Sequence, residues 1–119
     1  MLKFELIFEA EEIHTSRNSR RNYRMVGFSN TSFPIKSYVI LQREYIPNEK
    51  DEVYLEWNGN VGVNTISEAT LSFQTFTLKF NNTRLIVDLN SVPIDPRIIS
   101  NLEFILGDKL KIKPLNELF

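Results

Sequence analysis

Residues 51–57 read DEVYLEW, with three carboxylates and two large aromatics in seven positions. Residue types like these suit three kinds of chemistry. A carboxylate pair could share a proton for acid–base work, a carboxylate cluster could hold a metal, or acids around aromatic rings could grip a basic partner. Strand alternation places Glu52, Tyr54 and Glu56 on one face and Val53, Leu55 and Trp57 on the other. At ~3.3 Å per residue, Glu52 and Glu56 stand about 13 Å apart, too far to share a proton or chelate one ion without a bend. Glycosidase-type carboxyl pairs need roughly 5–9.5 Å. The carboxylates are read first as the solvated face of an ordinary strand; recognition of a basic partner is the use kept beside that reading, with Tyr54 as the anchor and Trp57 turned to the core.

Other chemistries find little support. There is no cysteine, which excludes a disulfide framework, a thiolate metal site and a cysteine nucleophile. His14 is the sole histidine, so no His–His metal motif exists, and no GxSxG, SxxK or glycine-rich phosphate motif frames a serine, threonine or lysine. No catalytic, metal-binding or cofactor-binding residue is assigned, and the chain is expected not to be an enzyme. RNSRRNYR carries Arg17, Arg20, Arg21 and Arg24, with Tyr23 as a possible stacking platform for nucleic acid. Glu5, Glu9, Glu11 and Glu12 precede it and the net charge is −1, so a solvated, partly ion-paired loop is the preferred reading and nucleic acid is disfavoured as a partner.

Charge is more segregated further on. Between Glu44 and Glu56 five carboxylates (Glu44, Glu49, Asp51, Glu52, Glu56) face a single lysine, Lys50, with Tyr45, Tyr54 and Trp57 interleaved. Acid that steers a basic protein and aromatic side chains that anchor it make Glu44, Tyr45, Glu49, Asp51, Glu52, Tyr54 and Glu56 the candidate partner-binding set.

The elements that position this segment follow from period. A chain of 119 residues with 42% hydrophobic content suits a single domain, 1–119, with its own core. In the first strand Leu2, Phe4, Leu6 and Phe8 share a face. Residues 14–22 are expected to loop, 22–29 to form a strand, and 37–45 a central strand covered on both faces. Residues 51–57 form the next strand and 58–64 a reversal with Gly59 and Gly62 at positive φ. Strands at 65–73, 75–80 and 84–89 follow, the last two joined by an Asn81–Asn82 hairpin. Asparagine at 30 and 81 lies in a glycosylation pattern, but is expected to serve turn chemistry.

The period changes once. Asp95 suits an N-cap and Pro96 the first helical position, Ile98, Ile99, Leu102, Ile105 and Leu106 recur at helical spacing, and Gly107 supplies the stop. KLKIK adds an edge strand. The predicted class is α+β: an antiparallel meander of six or seven strands with one C-terminal amphipathic helix packed on one face. The N-terminus lacks a signal-peptide shape and no apolar run reaches the length of a membrane span, so a cytoplasmic protein with no membrane partner is expected.

The order SYVILQREY, DEVYLEWNGN, ISEATLSFQTFTLKF, RLIVDL and IISNLEFILGDKL resembles small bacterial immunity proteins of polymorphic toxin systems, and more narrowly the tenth catalogued immunity-protein family. The matching features are the acidic-aromatic strand at Tyr54 to Trp57, the strands from Ile66 to Leu71 and Leu85 to Leu89, and the terminal helix from Ile98 to Leu106. The resemblance implies a non-enzymatic protein that neutralises a cognate secreted toxin domain by protein–protein contact. The alternative is a small-molecule-binding or hydrolytic domain with a pocket between sheet and helix.

Overall fold

The computed structural model of the chain describes residues 4–18, 20, 22–30, 37–44, 51–72 and 74–113. In chain order the elements are β1 (Phe4–Glu9), β2 (Glu12–Asn18), β3 (Tyr23–Asn30), β4 (Ser37–Glu44), β5 (Glu52–Trp57), β6 (Asn60–Val63), β7 (Ile66–Leu71), β8 (Thr75–Phe80), β9 (Thr83–Asp88), α1 (Pro96–Leu106), a 3₁₀ turn (Gly107–Lys109) and β10 (Leu110–Ile112). The class is α+β, with one helix and two sheets in place of the single meander. Sheet A has the order β1-β9-β8-β7-β10, and sheet B the order β2-β3-β4-β5-β6. Sheet B is antiparallel throughout. Sheet A is mixed, because β1 runs parallel to β9 and β10 parallel to β7.

Two segments expected to be irregular are strands. Residues 12–18 form β2, fully paired with β3, although only Ile13 among them is withdrawn from solvent. An edge strand with so little burial lacks the apolar alternation that reveals a strand, and the ladder with β3 supplies the missing stabilisation. The 58–64 reversal is a tight turn followed by β6. Asn58 (φ 46°) and Gly59 (φ 87°) make the two-residue connection that requires positive φ at both positions. Gly62 instead sits in β6 opposite Leu55.

The chain changes sheet at Ala10. Its N–H donates to the Asp88 carbonyl in sheet A at 2.9 Å, and the next N–H, of Glu11, donates to Ser29 in sheet B at 2.8 Å. Ala10 is fully buried, where a larger side chain would have no room between the converging sheets. The core lies between the inward faces. Phe28 of β3 stacks on Phe76 of β8 with centroids 5.1 Å apart, and Trp57 of β5 tilts against Phe80 at 6.1 Å. Leu85, Val87 and Leu89 share a buried face as their spacing predicts. In β1, Leu6 and Phe8 reach this core while Phe4, on the same side, is exposed; Leu2 lies outside the described residues. The strand 37–44 is central in sheet B but buries only one face: Val39 and Leu41 point inward, while Tyr38, Ile40 and Gln42 keep partial access to solvent.

Helix α1 begins as its residues dictate. The Asp95 carboxylate accepts from the N–H groups of Arg97 (2.8 Å) and Ile98 (3.1 Å), and Pro96 opens the first turn. Ile98, Leu102, Ile105 and Leu106 are buried, and Gly107 at φ 55° ends the helix. The helix packs on the inward side of β2, β3 and β4, closing the part of sheet B that sheet A does not cover. No helix of the described residues is long and apolar enough to cross a membrane.

Candidate functional site

The outward face of sheet B carries most of the described candidate residues. The β4–β5 register sets Glu44 opposite Glu52, Gln42 opposite Tyr54 and Ile40 opposite Glu56. Across β5–β6, Tyr54 faces Val63 and Glu56 faces Val61. Tyr23 and Met25 of β3 extend the same rows. Glu44, Glu52, Tyr54 and Glu56 therefore share one surface with Tyr23, Tyr38, Met25, Ile40, Val61 and Val63. Val61 and Val63 are 59% and 44% exposed, and the one helix of the described residues lies on the other side of the sheet. Tyr45 and Glu49 fall outside the described residues. Asp51 is directed elsewhere: it forms a two-pronged ion pair with Arg43, whose strand position points inward toward α1.

At the centre of the outward face, Glu56 accepts from two phenols, Tyr38 at 2.6 Å and Tyr54 at 2.8 Å, one on each carboxylate oxygen. Tyr54 reaches it because residues two apart on a strand share a face. Tyr38 reaches it diagonally across the β4–β5 pair, and its backbone is tied to the β5–β6 turn, with its N–H donating to Asn58 Oδ1 at 2.8 Å. Tyr23 donates to Gln42 Oε1 at 3.1 Å on the same surface. The hydrogen bonds from Tyr38 and Tyr54 hold the Glu56 carboxyl below the usual carboxylate range, and the same carboxylate raises both phenols above theirs. Tyr38 was not among the sequence candidates. Its signal was present in the alternation of Tyr38, Ile40 and Gln42, but the apolar run around it suggested a strand buried on both sides.

The inward end of sheet B is basic. Arg17, Arg24 and Arg43 stand opposite one another in a single row across β2, β3 and β4. Three like charges side by side are unfavourable, and the helix compensates two of them. The guanidinium carbons of Arg24 and Arg43 lie 5.2 and 5.7 Å from the Phe104 ring centre, within cation–π range. Arg24 Nη1 donates to buried Asn101 Oδ1 at 2.9 Å, and Arg43 Nη1 to the Phe104 carbonyl at 2.9 Å. The hydrogen bond from Arg43 also depresses the Asp51 pKa. The helix is flanked by two grooves. One, of about 290 Å³, includes Arg43, Asp51, Asn64 and Lys109, and the other, of about 330 Å³, includes Arg17, Arg24, Arg97 and Asn101. No cluster of three or more His, Asp or Glu side chains suited to a metal ion occurs among the described residues.

These shifts set a two-sided pH dependence. Asp51 and Glu56 have lowered folded pKa values, so their stabilisation is complete above the unfolded values of about 3.9 and 4.3 and is lost as pH falls through the folded values. Tyr38 and Tyr54 have raised values, so their contribution is complete below about pH 10 and is lost as pH rises through the folded values. Thermal melts are expected to show Glu56→Gln flattening both the acid and the alkaline limb relative to the parent, and Asp51→Asn flattening the acid limb alone. Parallel profiles for parent and Glu56→Gln would refute the shared carboxylate.

No match to the chain was found among protein-family models, curated proteins or solved structures.

Proposed function

We propose that the chain is a non-enzymatic binding protein that docks the outward face of sheet B onto a basic surface of a cognate secreted toxin domain and neutralises it. The observation that carries this reading is the charge of that face. Outward positions of β2–β6 hold Glu12, Glu44, Glu52 and Glu56 and, among the described residues, no lysine or arginine. The corresponding face of sheet A mixes both signs: Arg84 pairs with Glu5 at 3.2 Å and Lys79 with Glu68 at 3.4 Å, and Lys111 shares the face with Glu9 and Asp88. Threonines at 70, 75 and 77 lie on that face together with Ile7 and Ile86.

Acidic side chains set among tyrosines and exposed valines accelerate encounter with a basic partner and give it apolar anchors. Five strands about 4.8 Å apart offer a face on the order of 500 Å², less than the ~800 Å² per partner of a standard interface, so docking must also recruit the rim of the sheet. The resemblance to immunity proteins points to a toxin as the partner.

The test is to read the DNA immediately upstream of the coding region and to measure, by calorimetry and kinetics, binding of the full chain to the C-terminal domain of any large secreted protein encoded there. Nanomolar association is expected. Replacing Glu44, Glu52 and Glu56 together by Gln is expected to slow association about 10- to 100-fold and to reduce its salt dependence. Absence of such an upstream partner, or unchanged association and salt dependence in the triple variant, would overturn the reading.

A further inference from the structure

We propose that the groove between β2 and the first turns of α1 binds a phosphorylated small molecule. This site lies on the inward side of sheet B and does not depend on the docking reading for its outward face. Arg17, Arg24 and Arg97 line the groove together with the hydroxyl-bearing residues Thr15, Ser16 and Ser100, and among the described residues no carboxylate lines it. Arg17 and Arg24 arrive as cross-strand neighbours, and Arg97 comes from the first turn of the helix.

Arg24 is held before any ligand arrives. Its Nη1 is fixed on Asn101 Oδ1 at 2.9 Å, Asn101 is 4% exposed, and the guanidinium carbon stands 5.2 Å over the Phe104 ring. A guanidinium immobilised in this way loses little freedom on binding and presents its remaining donors in a fixed plane, the geometry that suits phosphate oxygens. Arg97 is the exposed arm: its side chain is 84% exposed and pairs with Asp95 at 3.3 Å across the helix end. The helix dipole is not the basis of the site, because Asp95 already accepts from the first free amides, those of Arg97 and Ile98.

The groove's volume, about 330 Å³, falls at the lower end of small-ligand pockets and exceeds what a lone phosphate fills. Pro96 and the methylene stems of the arginines give the body of the ligand an apolar wall. A polynucleotide suits the place less well. The arginines converge on one concavity, and a strand leaving it along α1 would pass the exposed Glu103.

Chemical-shift titration of the isotopically labelled full chain at low ionic strength provides the test, with ADP, inorganic pyrophosphate, adenosine and a short single-stranded oligonucleotide as probes. Saturable shifts centred on Arg17, Arg24, Arg97 and Ser100 are expected with ADP and pyrophosphate, and none with adenosine. Arg17→Gln with Arg97→Gln, both at exposed positions, is expected to weaken ADP about tenfold or more, while Arg20→Gln, outside the groove, leaves it unchanged. The proposal is overturned by the absence of saturation with both phosphates, by an equal loss in Arg20→Gln, or by the oligonucleotide binding more tightly per phosphate than ADP.

Discussion

Phe28→Ala is expected to lower folding stability by about 3–5 kcal/mol, the range for deleting a buried aromatic ring from a packed core. Phe28 is fully buried, and its stacking on Phe76 joins β3 of one sheet to β8 at the middle of the other. Truncation removes transfer energy, ring–ring attraction and the wall against which Phe76 is seated. Neither sheet can collapse into the gap, because each is held at fixed spacing by its own ladder. Domains of this size have ~5–15 kcal/mol in total, so the variant falls near the threshold of folding. Urea melts of the parent, Phe28→Ala, Phe28→Leu and Phe4→Ala provide the measurement. Leucine is expected to recover much of the loss, and Phe4→Ala, at a ring 61% exposed on β1, to stay within about 0.5 kcal/mol of the parent. Similar losses at positions 4 and 28 would show that the inter-sheet stack is not what joins the layers.

The same stack shows what sequence patterning can and cannot reveal. Alternation identified the inward residues of β5 and β9, because each strand buries every second side chain whichever sheet it enters. It carried no information on sheet membership, since that is decided by pairings between distant segments, such as β1 with β9. Helix α1 was legible to the residue at Asp95 and Gly107, where capping is a local matter. β2 was not, because a polar edge strand lacks a buried face to impose a period. In the candidate site, Glu52, Tyr54 and Glu56 were placed on one face by the parity of β5 alone. Asp51 follows no strand parity, and only the fold brings Arg43 to it.

The two faces of sheet B also divide the arginines from the glutamates that adjoin them in sequence. Arg17, Arg24 and Arg43 occupy inward parity on β2, β3 and β4, whereas Glu12, Glu44 and Glu52 occupy outward parity on β2, β4 and β5. Net charge of −1 for the whole chain therefore conceals an acidic face on one side of the sheet and, on the other, a row of arginines of which Arg43 is paired with Asp51. A long-range field of this kind steers partners of opposite sign to different faces, an effect that weakens with salt.

Under the proposed docking, Tyr54→Ala is expected to weaken binding of the partner domain roughly 30- to 1,000-fold in Kd, as for an aromatic anchor within an interface. Tyr54 lies between Gln42 and Val63 across the sheet and between Glu52 and Glu56 along the strand, and its hydroxyl is already engaged by Glu56 at 2.8 Å. The ring is thus held in one orientation before docking, which lowers the entropy lost on binding. Tyr54→Phe separates the two contributions, because it keeps the ring and removes the bond to Glu56. It is expected to reduce affinity less than Tyr54→Ala does, because the bond to Glu56 is made before docking and its loss only frees the ring. Thr77→Ala, on the outward face of sheet A, is the control and is expected to leave Kd unchanged. If Tyr54→Ala binds as the parent does while Thr77→Ala loses affinity, docking belongs to sheet A and the charge argument for sheet B fails. If both bind as the parent does, neither sheet face carries the contact. A loss confined to Tyr54→Ala, with circular dichroism and melting near those of the parent, would tie affinity to the face that the Tyr38–Glu56–Tyr54 cluster organises.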